Sequence, residues 1–273
     1  AYTFLGGFNA VCWTDFFQGL LMLVALLAVP IMVVLTQNPD TSLLANTIVG
    51  SDGTQYTFVA NLFNASWQDI VSGLAWGLGY CGMPHILVRF MSIEKPSMIK
   101  KSATVAIIWV VISLACTILL AYYGRMLIGE ELLVDGNQKL VFVRLARNLF
   151  HPFVAGILLA AIIAASMSTA DSQLLVASSS FTSDIYKPVI RKNASEKEIL
   201  WVGRIVVLAV SVIAYFIASS KGSGAQAIME MVENAWAGFG GSFGPVVVLS
   251  LFWKRMTYKG ACAGVVFGAL TDV

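Results

Sequence analysis

Charge is scarce in this chain. Asp, Glu, Lys and Arg together make up 12% of its 273 residues, about half of what a soluble domain carries. With 58% hydrophobic residues and a mean hydropathy of +0.80, this excludes an ordinary water-soluble globule. Histidine is nearly absent, at two residues, and the four cysteines show no metal-binding spacing. Cys12, Cys81, Cys116 and Cys262 instead read as small side chains in or beside apolar segments. No His-Glu-x-x-His, Gly-x-Ser-x-Gly or Walker loop occurs, so catalysis and ATP-driven pumping find little support. There is no Gly-x-Gly-Asp beside an acid, as an intramembrane aspartyl protease would need. Soluble domains, low-complexity tails, nucleic-acid-binding stretches and the ten-residue alternation of barrel strands are missing too.

What remains is long apolar runs. A spanning helix needs roughly 20 mostly apolar residues, and seven candidates centre near Met22, Tyr80, Ile112, Ala165, Ser211, Phe243 and Val266. The fold class is therefore an all-α polytopic membrane protein of about seven transmembrane helices, with residues 1–273 forming one transmembrane domain. The first run is too long for a signal-peptide core and has no basic leader, so it reads as a retained span. The chain opens on Ala1-Tyr2-Thr3 and stops at Asp272-Val273 inside a hydrophobic stretch, which predicts a piece of something longer.

Orientation follows from the basic residues. Twelve of the 17 Lys and Arg residues lie in or beside three loops: Arg89, Lys95, Lys100 and Lys101; Lys187, Arg191, Lys192, Lys197 and Arg204; Lys254, Arg255 and Lys259. These loops are expected to be cytoplasmic, placing Ala1 inside and Val273 outside. The intervening loops carry Asp40 and Asp52, or Glu230 and Glu233 against Lys221. The sequons at Asn64 and Asn193 fall on opposite sides in this topology and read as chance. Between the third and fourth spans, Gln138 to Leu149 sets Leu140, Val141, Leu145 and Leu149 against Lys139, Arg144 and Arg147, which predicts a surface helix lying in the membrane interface.

Two segments depart from plain spanning helix. Trp76-Gly77-Leu78-Gly79-Tyr80-Cys81-Gly82-Met83-Pro84-His85 puts three glycines and a proline near the middle of the second span. Each weakens or interrupts helical hydrogen bonding. Unwound backbone at membrane depth survives where it faces protein or a wet cavity, so the segment predicts a broken, site-lining helix. Trp76, Tyr80 and Pro84 recur at i, i+4 and i+8 and share a stripe. They either pack or contact a ligand, the glycines giving a small solute room beside the rings. His85 suits a proton relay or a helix cap, and Arg89 is expected to snorkel to lipid phosphate.

The second segment is Ala160 to Ser180, crowded with small and hydroxyl residues that insertion does not require. Ala165, Ser168, Thr169 and Ser172 lie at i, i+3, i+4 and i+7, hence on one face. Hydroxyls and a carbonyl can coordinate a hard monovalent cation, or they can bond back along the helix and let neighbours approach closely. Asp171 either pairs with a basic residue beyond Ser183 or helps cations leave. Asp15, after Trp13-Thr14, is the other acid embedded in a span.

These motifs, with Tyr2-Thr3-Phe4-Leu5-Gly6-Gly7, Met167-Ser168-Thr169, Ala235-Trp236-Ala237-Gly238-Phe239-Gly240, Phe243-Gly244-Pro245 and the stretch from Ser250-Leu251 through Arg255 to Gly264, resemble the sodium:solute symporters, most closely their sodium/proline branch. The resemblance covers essentially the whole chain. It implies an inverted-repeat transporter fold of five plus five helices, of which this chain holds the last helix of the first repeat, the whole second repeat and the start of a peripheral helix. The first helix of the first repeat, expected to supply the other half of both sites, is missing. Carried over, the sodium site falls on the Ala165 carbonyl and the Ser168 and Thr169 hydroxyls. Substrate contacts fall on Trp76, Tyr80 and Pro84, and Asp15 matches an acid of the sodium path; Asp171 joins the ion path only on the reading of its own position given above. Cys81 and Met83 stand where Phe and Gln are expected in the best-known proline carrier. The resemblance implies sodium-coupled import of L-proline by a multi-pass protein of the bacterial inner membrane, surrounded by lipid, with no enzyme activity and no nucleic-acid partner. The alternatives are pantothenate, another carboxylate or a sugar as substrate, or a transporter-like sensor module.

Overall fold

The computed structural model describes residues 2–271 except 40, 46, 50–52, 54, 58–64, 133 and 221–224. The sequon at Asn64 and the loop charges Asp40, Asp52 and Lys221 lie outside the described residues. Nine α-helices occur among the described ones: α1 (Tyr2–Thr36), α2 (Trp67–Gly79), α3 (Pro84–Met91), α4 (Ser97–Leu127), α5 (Val141–Leu149), α6 (Pro152–Ser180), α7 (Glu196–Ser220), α8 (Ala225–Phe252) and α9 (Tyr258–Thr271). A short antiparallel hairpin, β1 (Thr47–Val49) with β2 (Gln55–Thr57), pairs Ile48 with Tyr56 in the loop after α1.

Five helical stretches are long and apolar enough to cross a membrane: Gly6–Thr36, Ser97–Leu127, Pro152–Ile190, Glu196–Ser220 and Glu230–Phe252. The other two expected spans are the broken segment from α2 to α3 and α9, which rises about 21 Å over its 14 residues. α7 shows how such helices are solvated. Only 6% of its most apolar window is buried inside the protein, and Leu200, Ile205, Leu208, Ile213 and Phe216 are exposed, as suits a lipid-facing surface.

The chain divides into two compact units. One comprises Val11–Asn64 and Lys95–Thr169. Its core joins Ala25 and Val29 of α1, Leu120 of α4, Leu145 and Ala146 of α5, and Leu158 and Ala161 of α6. α5 does not leave its apolar face to lipid alone. Its apolar face packs on protein, with Leu145 and Ala146 essentially inaccessible. The reason is local: Gly124 has no side chain, and Val141 Cγ2 fills the space where a Cβ would stand. On the polar side, Arg144 meets Glu131 Oε2 at 2.7 Å.

The other unit comprises Ala1–Ala10, Ala65–Glu94 and Ala170–Val273. Here small residues set the packing, as expected where lipid provides no hydrophobic driving force between helices. Ser178 Oγ of α6 donates to the Gly203 carbonyl of α7 at 2.8 Å. α8 approaches α9 where Gly268 faces Gly241 and Ser242. Beyond α6 the helix continues as a π-helical segment, Phe181–Ile190, closed by Tyr186 donating to Glu198 Oε1 at 2.7 Å and by Arg191 pairing with the same oxygen at 3.1 Å.

Candidate functional site

The second hydrophobic segment is broken where its glycines and proline predict. α2 begins at a Ser66 capping box, with Ser66 Oγ accepting from the Asp69 N–H and the Asp69 carboxylate accepting from the Ser66 N–H. It ends at Gly79 and gives way to a 3-10 turn at Tyr80–Gly82. Met83 is extended, with φ −80° and ψ 113°, and Pro84 opens α3 at its first helical position, where a missing N–H costs nothing. The break interrupts the carbonyl ladder. The Tyr80 N–H turns to the Leu78 carbonyl rather than to Trp76, its usual partner four residues back.

Against this break stands α8. Trp236 stacks on Trp76 with ring centroids 5.2 Å apart and planes 28° apart, and it meets Tyr80 edge-on at 4.6 Å and 84°. Its Nε1 donates to the Trp76 carbonyl at 3.2 Å. Tyr80 remains 51% exposed, Trp76 and Pro84 are half-buried, and so is Cys81, while Met83 is buried. The expected room beside Gly79 and Gly82 is occupied. A Cβ on Gly79 would strike Trp236 Nε1 and one on Gly82 the Phe239 carbonyl, because the two backbones approach closely, with Gly240 against Gly79. Space stays open at Gly77. An apolar groove of about 330 Å³ also lies along α2 and α8, lined by residues including Leu78, Gly79, Trp236 and Pro245.

On α3, Arg89 does not simply reach for lipid phosphate. Its Nη2 donates to Ser172 Oγ on α6, and both Ser172 and its neighbour Asp171 are buried, at 5% and 8% exposure. The guanidinium gives the buried Ser172 hydroxyl a charged donor.

On the other unit, Ser168 Oγ donates to the Ala165 carbonyl at 3.0 Å and Thr169 Oγ1 donates to the same carbonyl at 3.4 Å. Three oxygens therefore gather within one turn. If each lay about 2.4 Å from a shared cation, a distance taken from calcium sites, these separations would subtend roughly 80–90° at the ion, ordinary for a six-coordinate sphere. These are bonds back along the helix, in which both hydroxyl protons point at the carbonyl. Thr169 is exposed and Ser168 half-buried, so the face is accessible. Asp15, on α1, is half-buried with Oδ1 shut off from solvent, as is Gln18 Oε1 one turn on.

Trp236 is the residue that motif reading underuses, although it stands within a quoted motif. The signal was there in Gly240-x-x-x-Gly244, a small-residue pair that marks close helix approach, but not in any feature that names the partner helix.

A family model described as the sodium:solute symporter family matches residues 1–268. The chain is 44% identical to the sodium/proline symporter of Haemophilus influenzae over 276 aligned residues, covering 99% of this chain and 54% of that protein. It is 44% identical to the high-affinity proline transporter PutP of Bacillus subtilis, covering 100% of this chain and 56% of that protein. It is 40% identical to the sodium/proline symporter of Escherichia coli, covering 100% and 54%. The chain thus spans about half the length of the curated relatives it matches.

Proposed function

The chain belongs to the sodium:solute symporter family, a family of transporters in the membrane, and we propose that it forms the larger part of the transport core of a sodium-coupled L-proline importer. The observation that carries this reading is that one chain holds both an interrupted, aromatic-lined helix and, separately, a hydroxyl-and-carbonyl face on α6. Relatives named as proline transporters, alike over the whole chain, supply the substrate.

In this reading Ala165 O, Ser168 Oγ and Thr169 Oγ1 are sodium ligands, while Trp76, Tyr80 and Pro84 contact proline. Asp15 and Asp171 serve the ion path. The chain contributes the last helix of the first inverted repeat, the whole second repeat and the start of a peripheral helix. Helices elsewhere in the protein complete both sites, in line with relatives nearly twice as long. The protein moves its solutes unchanged and catalyses no reaction, in the inner membrane of a bacterium, as its bacterial relatives suggest.

Alternating access then follows from linkage. Sodium on the α6 face stabilises the state in which the break is competent for proline, and the loaded carrier turns inward. One charge entering across 100 mV supplies about 2.3 kcal/mol before any concentration gradient. For tight coupling, sodium must bind that state better than the empty alternatives.

The test is equilibrium binding of labelled proline to the full-length protein in detergent, with and without sodium, challenged by pantothenate, another carboxylate and a sugar. Sodium-strengthened binding displaced by proline alone supports the reading. Preferential displacement by a competitor moves the substrate assignment and keeps the architecture.

A further inference from the structure

We infer that Trp236 is a positioning residue for substrate recognition, an inference that rests on the reading of Trp76 and Tyr80 as substrate contacts. The break turns the Tyr80 N–H toward Leu78 and so takes from the Trp76 carbonyl its usual helical donor. The Trp236 indole N–H donates to that carbonyl at 3.2 Å. The same ring stacks on Trp76 and stands edge-on to Tyr80. One side chain therefore holds both rings and the backbone that carries them. A carbonyl at membrane depth needs a partner, and the partner here fixes where α2 stops. Gly79 admits the indole, since a Cβ there would collide with Nε1 and come within 2.7 Å of Cδ1.

Bulk and hydrogen bonding make different demands. A role in packing alone requires only an aromatic ring, which Phe supplies. Positioning the break also requires the N–H, which Phe lacks. Trp236→Phe is thus the informative variant, with Trp236→Ala removing both and Gly79→Ala displacing the indole without altering it.

The experiment uses full-length protein in proteoliposomes, measuring proline KM and Vmax per reconstituted molecule under a fixed inward sodium gradient. Trp236→Phe is expected to raise KM about fivefold, the weight of one hydrogen bond, and Trp236→Ala about thirtyfold as the ring contacts go too, with Vmax changed far less. Gly79→Ala raises KM in the same direction. Combining Trp236→Ala with Trp76→Ala gives less than the product of the single effects, because the ring to be positioned is already gone. A second readout is independent of the solute: the far-ultraviolet circular-dichroism exciton couplet of stacked indoles, which should vanish equally in Trp236→Phe and Trp76→Phe. Wild-type KM in both Trp236 variants while Trp76→Ala is impaired overturns the inference and keeps the proline reading. Silence of Trp76→Ala as well overturns both. Multiplicative effects, or no couplet in the wild type, overturn the positioning role.

Discussion

The hydroxyl of Ser168 donates to the Ala165 carbonyl at 3.0 Å, one turn back along α6. That bond orients the hydroxyl oxygen with its lone pairs turned away from the carbonyl, and the neighbouring Thr169 hydroxyl repeats the arrangement. Ser168→Ala or Thr169→Ala is expected to raise the sodium concentration for half-maximal transport roughly 10- to 100-fold, the weight of a hydrogen-bonding oxygen on a charged partner. Thr169→Ser should stay near wild type. Sodium titration of uptake checks this, and an unchanged titration in both alanine variants removes the face from the sodium site.

Trp76→Ala and Tyr80→Ala are expected to weaken proline affinity at saturating sodium. Sodium affinity should change only through linkage, equal in both directions by thermodynamic necessity. Binding titrations of each ligand at several fixed concentrations of the other measure the coupling. Normal proline affinity in both variants would move the pocket elsewhere.

Ser172 shares the α6 face with Ser168 but takes a hydrogen bond from Arg89. Its expected role is structural. Ser172→Ala should lower the thermal midpoint of the detergent-solubilised protein, with a cost of about 1–3 kcal/mol for a guanidinium losing a buried acceptor. The sodium half-saturation should move less than about twofold. A tenfold rise in that value would instead make Ser172 a ligand.

Gly124 and Val141 interlock at the junction of α4 and α5. Gly124→Ala should destabilise the protein by about 1–3 kcal/mol through overpacking, and adding Val141→Ala should recover most of that loss. Thermal melts of the single and double variants decide it. Simple addition of the two costs would contradict the interlock.

The position of the helix break was legible because Gly77, Gly79, Gly82 and Pro84 act locally, and so was the shared face of Ser168 and Thr169, which periodicity alone defines. The helix partner of Arg89 was not legible, because a cation near a helix end reaches lipid phosphate and a neighbouring helix equally well by local rules. Its partner Ser172 is 83 residues away. α5 announced its two faces but not what covered the apolar one, since lipid and protein are alike to a hydrophobic side chain. Trp236 and Trp76 are 160 residues apart, and only tertiary contact reveals that one indole serves the other's carbonyl.

The most direct test is uptake of labelled proline by the full-length protein in proteoliposomes under an inward sodium gradient, compared with an inward potassium gradient and with a proton gradient alone. Sodium-coupled import requires accumulation above equilibrium only with sodium, abolished by excess unlabelled proline. Equal uptake under all three gradients, or saturable binding with no accumulation, would contradict sodium-coupled import, the latter pointing to a sensor built on the same fold.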